Sequence, residues 1–467
     1  DNYVQVGERL LIAESLADEV MKAGRVEEYA TLGRAIINEL VCDHPLNKKG
    51  YDFSVPFLDG DHVTDDAGTG FVHTAPGHGA DDYNIWTEKV GGPIPSTVNA
   101  DGYYTKDAPG FEGGRVIDQY GKWGDANRRV MDALKEAGML LSARRKTISY
   151  PHSWRSKKPI IFRNTPQWFI SMSSHGLRDI ALKAIDETRF FPAAGQNRLR
   201  AMIADRPDWV ISRQRAWGVP IAVFVNKETG EILNDNNVNQ RIVDSFSKEG
   251  ADAWFAEGAA SRFLGADYNS QQWEQVRDIL DVWFDSGSTH AFCLEQRPDL
   301  KWPADLYLEG SDQHRGWFQS SLLSGCAIDG RAPYKALLTH GFVVDGKGHK
   351  MSKSKGNVIA PQQVSDKMGA EILRLWTAST DYSGELSISD EILKRVVEGY
   401  RRIRNTLRFV LANTSDFDAA KDMLPVEQWL EIDRYALALT RELQSDCQAD
   451  YDRYEFHRVV QSLQTFC

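Results

Sequence analysis

The sequence contains few cysteines, and their positions exclude the commonest cysteine-based sites. The five are widely separated along the 467 residues: Cys42, Cys293, Cys326, Cys447 and Cys467. No two of them stand in a Cys-x-x-Cys arrangement, so neither a zinc ribbon nor a thioredoxin-type redox centre is expected. Sparse cysteines are typical of proteins that work in the reducing cytosol, and the sequence therefore favours a cytoplasmic protein.

Long apolar segments are also absent. A transmembrane helix needs roughly eighteen consecutive apolar residues, and because no such stretch occurs we expect no membrane partner. No signal peptide is visible at the start. Hydrophobic residues make up 42% and charged residues 26%, which excludes a disordered or fibrous chain. The first residue is Asp1 rather than methionine, and Cys467 closes an apolar helical pattern, so we expect a piece of a longer protein.

The sequence has fewer basic than acidic residues. The 55 Lys and Arg residues are outnumbered by 66 Asp and Glu residues, which gives a net charge of −11. Bulk charge therefore does not predict a nucleic-acid partner, although a local basic face is compatible with it. One helical segment has six cations beside an apolar repeat: Lys394, Arg395, Arg401, Arg402, Arg404 and Arg408. A solvated face of a core helix and a phosphate-binding surface both fit this pattern.

Strand and helix patterns alternate through the middle of the chain. We expect strands at 278–284, 305–309 and 334–344, separated by polar turns and helices. Repeated strand–turn–helix units predict an α/β fold with a doubly wound parallel sheet. Ligands bind at the carboxyl ends of the strands in such sheets, so residues 309–313 and Asp285 are expected at the ligand edge.

The flanking regions differ from this pattern. The first region mixes short strands with glycine turns, and it predicts a strand at 68–75 and helices at 16–21, from 80 onward and at 123–137. The last region is helical and begins at Ser389, a residue type suited to the N-cap position. Length alone predicts about three domains of roughly 100–200 residues each.

The most informative segment is a cationic loop at residues 343–357, which reads VVDGKGHKMSKSKGN. Asp345 and Gly346 predict a hairpin turn. Residues 346–356 contain four lysines, one histidine and no carboxylate. Mobile lysines can follow the negative charge that develops on a leaving pyrophosphate. A surface lysine cluster is the alternative for a random Lys-x-x-Lys, whereas KMSKS after a doubly wound sheet favours a functional loop.

KMSKS at residues 350–354 resembles the signature of class I aminoacyl-tRNA synthetases. Three further strings narrow the resemblance to the isoleucyl-tRNA synthetases: LYLEGSDQHRGWF at 306–318, DVWFDSG at 281–287 and RPDWVISRQRAWG at 206–218. GTGFVHTAPGHG at 68–79 resembles the editing domain of that family. The resemblance covers essentially the whole chain. Valyl and leucyl relatives share KMSKS but differ in the other strings.

The resemblance implies a catalytic sheet that joins L-isoleucine to ATP, supplied with Mg²⁺, and transfers the isoleucyl group to tRNA(Ile). Lys353 matches the ATP-binding lysine of the motif, with Lys350 in support. The residues that match the adenylate- and nucleoside-binding positions are Glu309, Gly310, Asp312 and Gln313. Trp317 and Trp283 match walls of the isoleucine pocket, and plain core packing is the alternative for both.

The resemblance also implies a second, hydrolytic site. Isoleucine and valine differ by a single methylene, and a binding pocket can discriminate between them by only ~1–3 kcal/mol of binding free energy. Isoleucyl-tRNA synthetases themselves are the established example of this limit. His73 and Asp82 match the family's editing residues, with Asp82 on the α-ammonium group of misattached valine and His73 on the ribose or the attacking water. A metal site at His73, His78, Asp81 and Asp82 competes with this interpretation, but their spacing matches no standard zinc motif. For Asp81 and His78 we favour a third interpretation, a helix cap and an ordinary loop residue.

Four regions follow from the resemblance. They are an N-terminally truncated editing domain at 1–147, the second half of a Rossmann-like catalytic domain at 148–345, the KMSKS loop with its stem at 346–388, and the start of a helical anticodon-binding bundle at 389–467. The editing domain is expected to be a mixed α/β insertion. The basic segment would belong to the bundle's tRNA surface.

Parts of the family pattern do not occur in this sequence. These are the HIGH-type segment, the threonine-rich editing strand and the C-terminal zinc cysteines, so we expect no metal site here and zinc only in the C-terminal region of the family. We also expect a monomer that aminoacylates poorly as this chain alone, and steady pyrophosphate exchange by the chain would contradict that. An RNA-binding module and a nucleotidyltransferase with another acceptor stay open as alternatives.

Overall fold

The computed structural model describes residues 7–37 and 40–467. The chain divides into two compact units, Asp1–Pro166 and Gln167–Cys467. The division falls in a segment without regular secondary structure, just before the first strand of the second unit. None of the helices in the described ranges is both long and apolar enough to cross a membrane.

The first unit has short regular elements joined by turns. Its described helices and strands are α1 (Ala17–Ala23), β1 (Val41–Asp43), β2 (Ser54–Pro56), α2 (Ala80–Lys89) and α3 (Ala126–Glu136). Strands β1 and β2 pair antiparallel. A small core of buried Leu46, Ala108 and Phe111 holds the turns together. At Gly124 a Cβ atom would lie 2.0 Å from the carbonyl oxygen of Arg115, so this close backbone approach requires glycine.

The strand expected at 68–75 does not form. Gly68 and Gly70 have φ angles of 70° and 81°, and these left-handed conformations interrupt an extended backbone. The Thr69 carbonyl accepts a hydrogen bond from the Ala13 amide (2.9 Å), but the segment pairs with no strand among the described residues. The expectation was wrong because apolar alternation produces a strand only where a partner supplies the ladder of hydrogen bonds. The helices expected from residue 80 and at 123–137 are confirmed as α2 and the slightly shorter α3.

The second unit contains most of the regular structure. Its strands are β3 (Phe169–Ile170), β4 (Arg189–Phe191), β5 (Trp209–Val210), β6 (Ser212–Arg213), β7 (Phe224–Asn226), β8 (Trp273–Gln275), β9 (Ile279–Leu280), β10 (Tyr307–Gly310), β11 (Ala336–His340), β12 (Val343–Asp345) and β13 (Leu386–Ile388). Its helices are α4 (Leu177–Glu187), α5 (Ala194–Ala204), α6 (Asn236–Glu249), α7 (Ala259–Leu264), α8 (Val282–Gly287), α9 (Trp317–Asp329), α10 (Pro361–Met368), α11 (Ala370–Ser379), α12 (Asp390–Asn413), α13 (Ala419–Asp422), α14 (Glu431–Asp452) and α15 (Phe456–Phe466).

A parallel sheet of strand order β10-β11-β4 lies in the second unit. The chain runs from β10 through α9 to β11, which is the helical crossover that parallel strands require. Helix α9 is buried along most of its length and packs through Phe318, Leu322 and Leu323 into the main core. The predicted α/β class with a parallel sheet is confirmed for these strands. The other strands form two-stranded pairs, of which β12–β13 is parallel and β3–β5, β6–β9 and β7–β8 are antiparallel.

The strand expected at 278–284 forms only at Ile279–Leu280, and helix α8 begins at Val282. Strand β9 ends at Leu280, and the side chain of Asp281 accepts a hydrogen bond from the Trp283 amide (2.8 Å) as the N-cap of α8. A capping carboxylate satisfies an otherwise unpaired amide at a helix start, and this outweighs the β-propensity of the apolar run. Asp285 therefore lies in a helix that follows an antiparallel strand, and not at the end of a strand of the parallel sheet.

The strand expected at 334–344 is divided into β11 and β12, which belong to different sheets. The break occurs at Gly341, where a Cβ atom would lie 1.9 Å from the carbonyl oxygen of Gly384. The crossing backbone leaves no room for a side chain, so the chain turns at this glycine. Strand β12 then leads into the cationic loop from a second, smaller sheet with β13.

The C-terminal part is helical, as expected. Ser389 caps α12 because its hydroxyl accepts a hydrogen bond from the Ile392 amide (3.2 Å). A core formed mainly by α11, β13 and α12 lies beneath the cationic loop and includes Trp376, Leu386 and Leu393. Met351 of the loop packs against this core, which anchors the loop to the helices.

Candidate functional site

Four of the predicted ligand residues lie in one turn at the carboxyl end of β10. Glu309 is exposed at the end of the strand, opposite Thr339 of β11. At Gly310 a Cβ atom would lie 2.8 Å from Asp312 Oδ1, so only glycine lets that carboxylate fold over the backbone. The turn therefore presents two carboxylates beside an open stretch of main chain, which suits recognition of hydroxyl and ammonium groups.

Gln313 is held in this turn by both ends of its amide. Its Oε1 accepts a hydrogen bond from the Trp317 amide (2.9 Å) at the start of α9. Its Nε2 donates to Asp312 Oδ2 at 3.4 Å. Since the oxygen is committed to the helix start, the amide nitrogen is the group of Gln313 that faces Asp312.

The two tryptophans meet at the start of α9. Trp317 stacks on Tyr307 with ring centroids 4.1 Å apart and an angle of 7° between planes, and its indole NH donates to the Ser286 carbonyl (2.8 Å). Trp283 is 42% exposed, and its ring lies so close to Gly316 that a Cβ atom there would come within 2.8 Å of it. Trp317 is thus fixed by packing and hydrogen bonding, whereas Trp283 has a free face.

Buried polar groups position α8, which carries Trp283. Arg213 forms an ion pair with the buried carboxylate of Asp281. Burial, and secondly the negative charge of Asp281, raise the pKa of Asp285 above its ordinary value. The sequence suggested no role for Arg213 or Asp281 because their contact joins a strand to a helix cap far away in the chain.

The cationic loop is organised by Asp345 and Asn357, which we name the loop clamp. Asp345 Oδ1 accepts hydrogen bonds from the amides of Lys347 and His349 (both 2.9 Å). Asp345 Oδ2 accepts from Asn357 Nδ2 (2.9 Å), and Asn357 Oδ1 accepts from the Ser352 amide (2.9 Å). The clamp closes the loop at its base and shapes the backbone on both sides of Lys350.

The loop clamp depends on an ionised Asp345. The hydrogen bond from Asn357, with those from the loop amides, lowers the pKa of Asp345 from 3.8 to about 2. A carboxyl group whose pKa is lowered on folding stabilises the fold above its ordinary pKa, and this contribution disappears as the pH falls toward the lowered value. The clamp is therefore intact throughout the neutral range and weakens only in strong acid.

The lysines of this loop are left free by the clamp. Lys347, Lys350, Lys353 and Lys355 are all exposed, and none forms an ion pair within the described ranges. Gly356 follows them with a φ angle of 66°. An anchored base with four unneutralised ammonium groups at the tip suits an incoming polyphosphate.

The predicted editing residues lie at the start of α2 in the first unit. Asp82 stands in the first turn, and its Oδ2 lies 2.7 Å from where a Cβ atom of Gly79 would be. The carboxylate thus folds back over the N-terminus of α2, where the helix dipole stabilises negative charge. His73 is exposed, and its charge contributes to lowering the pKa of His44, although burial of His44 is the larger cause.

The competing metal interpretation of this segment finds no support. Both ring nitrogens of His78 are engaged, one with the Phe162 carbonyl (2.8 Å) and the other with Thr97 Oγ1 (2.6 Å). His78 is thus a bracing loop residue, as expected. The capping role expected for Asp81 is wrong, because the N-cap of α2 is Gly79 and no side chain bonds there.

The six cations of α12 are exposed but not equivalent. Arg395 forms an ion pair with Glu391, and Arg401 with Glu398 (2.8 Å), both on the same helix. Arg402 donates a hydrogen bond to the Gln464 carbonyl (3.4 Å), and Lys394, Arg404 and Arg408 form no ion pair within the described residues. Part of the basic segment is therefore an internally paired solvated face, and three cations are left for another partner.

Known proteins resemble the chain over nearly its whole length. A model of the family described as "tRNA synthetases class I (I, L, M and V)" matches residues 15–389. The isoleucine–tRNA ligase of Dechloromonas aromatica (strain RCB) is 58% identical over 98% of this chain and 49% of its own length. That of Caulobacter vibrioides is 50% identical over 100% and 49%. The chain spans about half the length of the curated relatives it matches.

Solved structures resemble the chain more distantly. Mycobacterium tuberculosis methionyl-tRNA synthetase in complex with methionyl-adenylate is 18% identical, with a TM-score of 0.45 over 68% of this chain and 53% of that chain. The leucyl enzyme of Agrobacterium radiobacter K84, in a ternary complex with tRNA, is 19% identical with a TM-score of 0.41 over 58% and 39%. The family model alone spans well over half of the sequence and includes both the turn after β10 and the cationic loop, and the chain therefore belongs to the class I tRNA synthetases of the I, L, M and V group.

Proposed function

We propose that the complete protein is an isoleucine–tRNA ligase. It activates L-isoleucine with ATP, bound as the Mg²⁺ complex, and transfers the isoleucyl group to tRNA(Ile). The observation that carries this proposal is the clamped loop with four unpaired lysines, which follows a parallel sheet whose first strand ends in Glu309, Gly310 and Asp312. The identity of 50% or more to isoleucine–tRNA ligases supports the choice of amino acid.

Activation requires that the charge separating on pyrophosphate be neutralised. Lys353, with Lys350 in support, supplies ammonium groups that have no competing carboxylate in the described structure. Such groups favour the transition state over bound ATP if they engage the phosphates most strongly as the α–β bond breaks. The loop clamp reduces the cost of ordering them, because the backbone around Lys350 is already shaped.

The sheet edge binds the rest of the adenylate. Glu309 receives the ammonium group of isoleucine or ribose hydroxyls, and Asp312 and Gln313 bind the nucleoside beside Gly310. Trp317 forms the fixed wall of the amino-acid pocket, which its stack on Tyr307 supports. Trp283 forms the opposite wall with its exposed face.

We assign hydrolytic editing of valyl-tRNA(Ile) to the first unit. Asp82 binds the α-ammonium group of the misattached valine, and His73 positions the terminal ribose or the attacking water. The placement of Asp82 in the first turn of α2 supports this role, because a helix N-terminus favours negative charge. The editing domain spans 1–147, the catalytic half-domain 148–345, the loop and stem 346–388, and the bundle from 389 onward. The protein acts as a cytoplasmic monomer, and zinc belongs to the family's C-terminal cysteines.

The direct test uses the full-length protein. We expect ATP–pyrophosphate exchange that depends on L-isoleucine, with slower exchange for valine by about two orders of magnitude, as a single methylene allows. We also expect isoleucine to be attached to tRNA(Ile). Exchange that prefers leucine or methionine, or adenylation of an acceptor other than an amino acid, would contradict the proposal.

The loop clamp gives a prediction for catalysis. Asp345→Ala removes three hydrogen bonds at the base of the loop, so the lysines lose their fixed position and pyrophosphate exchange slows by roughly tenfold to a hundredfold. Isoleucine binding is unchanged because the pocket lies elsewhere. Two quantities are measured for each variant: the rate of pyrophosphate exchange and the dissociation constant of isoleucine. Asp366→Ala, an exposed aspartate on α10, is the matched control. Equal exchange rates for Asp345→Ala and Asp366→Ala would contradict the role proposed for the loop clamp.

The unpaired cations of α12 give a prediction for tRNA binding. Replacing Lys394, Arg404 and Arg408 by alanine weakens tRNA affinity, and the slope of log K against log salt falls by about one for each phosphate that a side chain no longer neutralises. Replacing Arg395 and Arg401, which are paired on the helix, changes the slope less. Filter binding across a salt series measures both. If both sets of replacements change the salt slope equally, the result favours the alternative that these cations form only a solvated face of α12.

A further inference from the structure

His290 is a completely buried histidine without hydrogen-bond partners. It begins a single π-helical turn, His290–Leu294, directly after α8. Its side chain is 0% exposed, and neither ring nitrogen has a partner within the described structure. A buried polar group that forms no hydrogen bond costs free energy, and π turns occur frequently at functional sites. The position therefore calls for a ligand-based explanation.

Two carboxylates point at this imidazole. Glu295 Oε1 lies 3.6 Å from His290 Nδ1. The widened turn places them together, since the Glu295 amide donates to the His290 carbonyl (3.0 Å) across five residues. Asp329, the last residue of α9, completes the group, and the ligand atoms of the three residues lie within 4.8 Å of one another.

An ordinary ion pair does not account for this group. Neither ring nitrogen of His290 has a hydrogen-bond partner, and Glu295 Oε1 lies 3.6 Å from Nδ1, beyond hydrogen-bonding distance. A buried imidazole nitrogen without such a partner has a lone pair available to a metal ion. No lysine or arginine pairs with Glu295 or Asp329 in the described ranges. An imidazole nitrogen without a hydrogen-bond partner and two carboxylates without a cationic partner suit a dication.

We propose that His290, Glu295 and Asp329 bind a divalent transition-metal ion, for which zinc is the probe. Imidazole nitrogen and carboxylate oxygen are preferred zinc donors, and three protein ligands with a water complete a tetrahedral shell. Zinc bonds of about 2.0–2.2 Å bring ligand atoms to about 3.4 Å from one another. Both carboxylates are exposed and can rotate over the remaining distance, while the buried imidazole stays fixed.

The site joins the two helices that carry the pocket tryptophans. Helices α8 and α9 already pack closely, since a Cβ atom at Gly287 would lie 2.9 Å from the carbonyl carbon of Ser320. A metal held by the turn after α8 and by the last residue of α9 ties the C-terminal ends of the two helices together. Its role is to brace this helix pair, and its binding is independent of the proposed ligase activity.

The test measures zinc binding by the purified protein, without a histidine tag, in competition with a chromophoric chelator. We expect Asp329→Asn and Glu295→Gln to bind one equivalent less zinc than the wild type, or to bind it at least tenfold more weakly. Asp366→Asn, an exposed aspartate away from the group, keeps the wild-type stoichiometry and affinity. The two site variants change exposed residues, so the test does not depend on replacing the buried histidine.

Cobalt provides a second measurement. Co²⁺ bound by the wild type shows visible absorption that is smaller in the two site variants by the contribution of one ion, and zinc raises the melting temperature of the wild type and the control more than that of those variants. The proposal is overturned if the wild type takes no zinc from the chelator. It is equally overturned if the wild type, Asp329→Asn and Glu295→Gln bind the same number of zinc ions with the same affinity.

Discussion

Replacing Lys353 by alanine in the full-length enzyme is expected to slow isoleucyl-adenylate formation by about 10²–10³-fold while leaving isoleucine binding nearly unchanged. Removal of one group that stabilises transition-state charge has an effect of this size in other enzymes. The ammonium group of Lys353 is exposed and unpaired within the described structure, so its removal leaves no buried charge and no broken packing. The measurement is single-turnover adenylate formation, with isoleucine affinity determined separately.

The control for this experiment is Lys367→Ala on α10, an exposed lysine outside the loop. It should leave both quantities within about twofold of the wild type, as is usual for surface substitutions. A variant that loses isoleucine affinity while its rate of adenylate formation at saturation is unchanged has lost a binding interaction common to the ground and transition states. Such a result for Lys353→Ala would contradict the role proposed for the loop.

Replacing Asp82 by alanine is expected to let valyl-tRNA(Ile) accumulate while isoleucylation stays within about twofold of the wild type. A hydrogen bond to a charged group contributes about 1.5–3 kcal/mol, so hydrolysis of valyl-tRNA(Ile) should slow by roughly tenfold to a hundredfold. The measurements are deacylation of preformed valyl-tRNA(Ile) and steady-state charging with each amino acid.

Asp81→Ala provides a neighbouring control for the editing residue. Asp81 is exposed, lies in the same first turn of α2 and forms no cap there. Its replacement removes a carboxylate of the same charge at nearly the same position. If the Asp81 variant accumulates as much mischarged tRNA as the Asp82 variant, the effect belongs to the charge of the helix start, and Asp82 has no specific role.

The features that could be predicted from the sequence depend on contacts between residues that are close together in the chain. The glycine of the turn after β10, the Ser389 cap and the hairpin at Asp345 each depend on residues only a few positions apart, and sequence spacing reveals such contacts directly. The prediction of a strand at 278–284 was wrong for a related reason. Its apolar residues suit a strand or a buried helix equally, and the choice was made by the Asp281 cap, whose carboxylate is held by Arg213 from β6.

Trp283 and Trp317 show that the sequence could not predict which of the two side chains is held in place and which is exposed. The resemblance placed both in a pocket, but only the packing distinguishes them. Trp317 is locked between Tyr307 and the Ser286 carbonyl, while one face of Trp283 stays exposed. The exposed face of a side chain depends on which elements pack around it, and that information is spread over three separate segments of the chain.

By itself the sequence determined the family, the α/β class and the position of the cationic loop, because these follow from contiguous motifs and short-range patterns. Only the tertiary structure decided that Asp345 and Asn357 clamp that loop and that Asp329 reaches His290 and Glu295. These contacts join residues from different elements, and their formation depends on burial and close packing of the whole unit. A linear pattern does not contain that distance information, so the clamp and the proposed metal site emerged only from the folded chain.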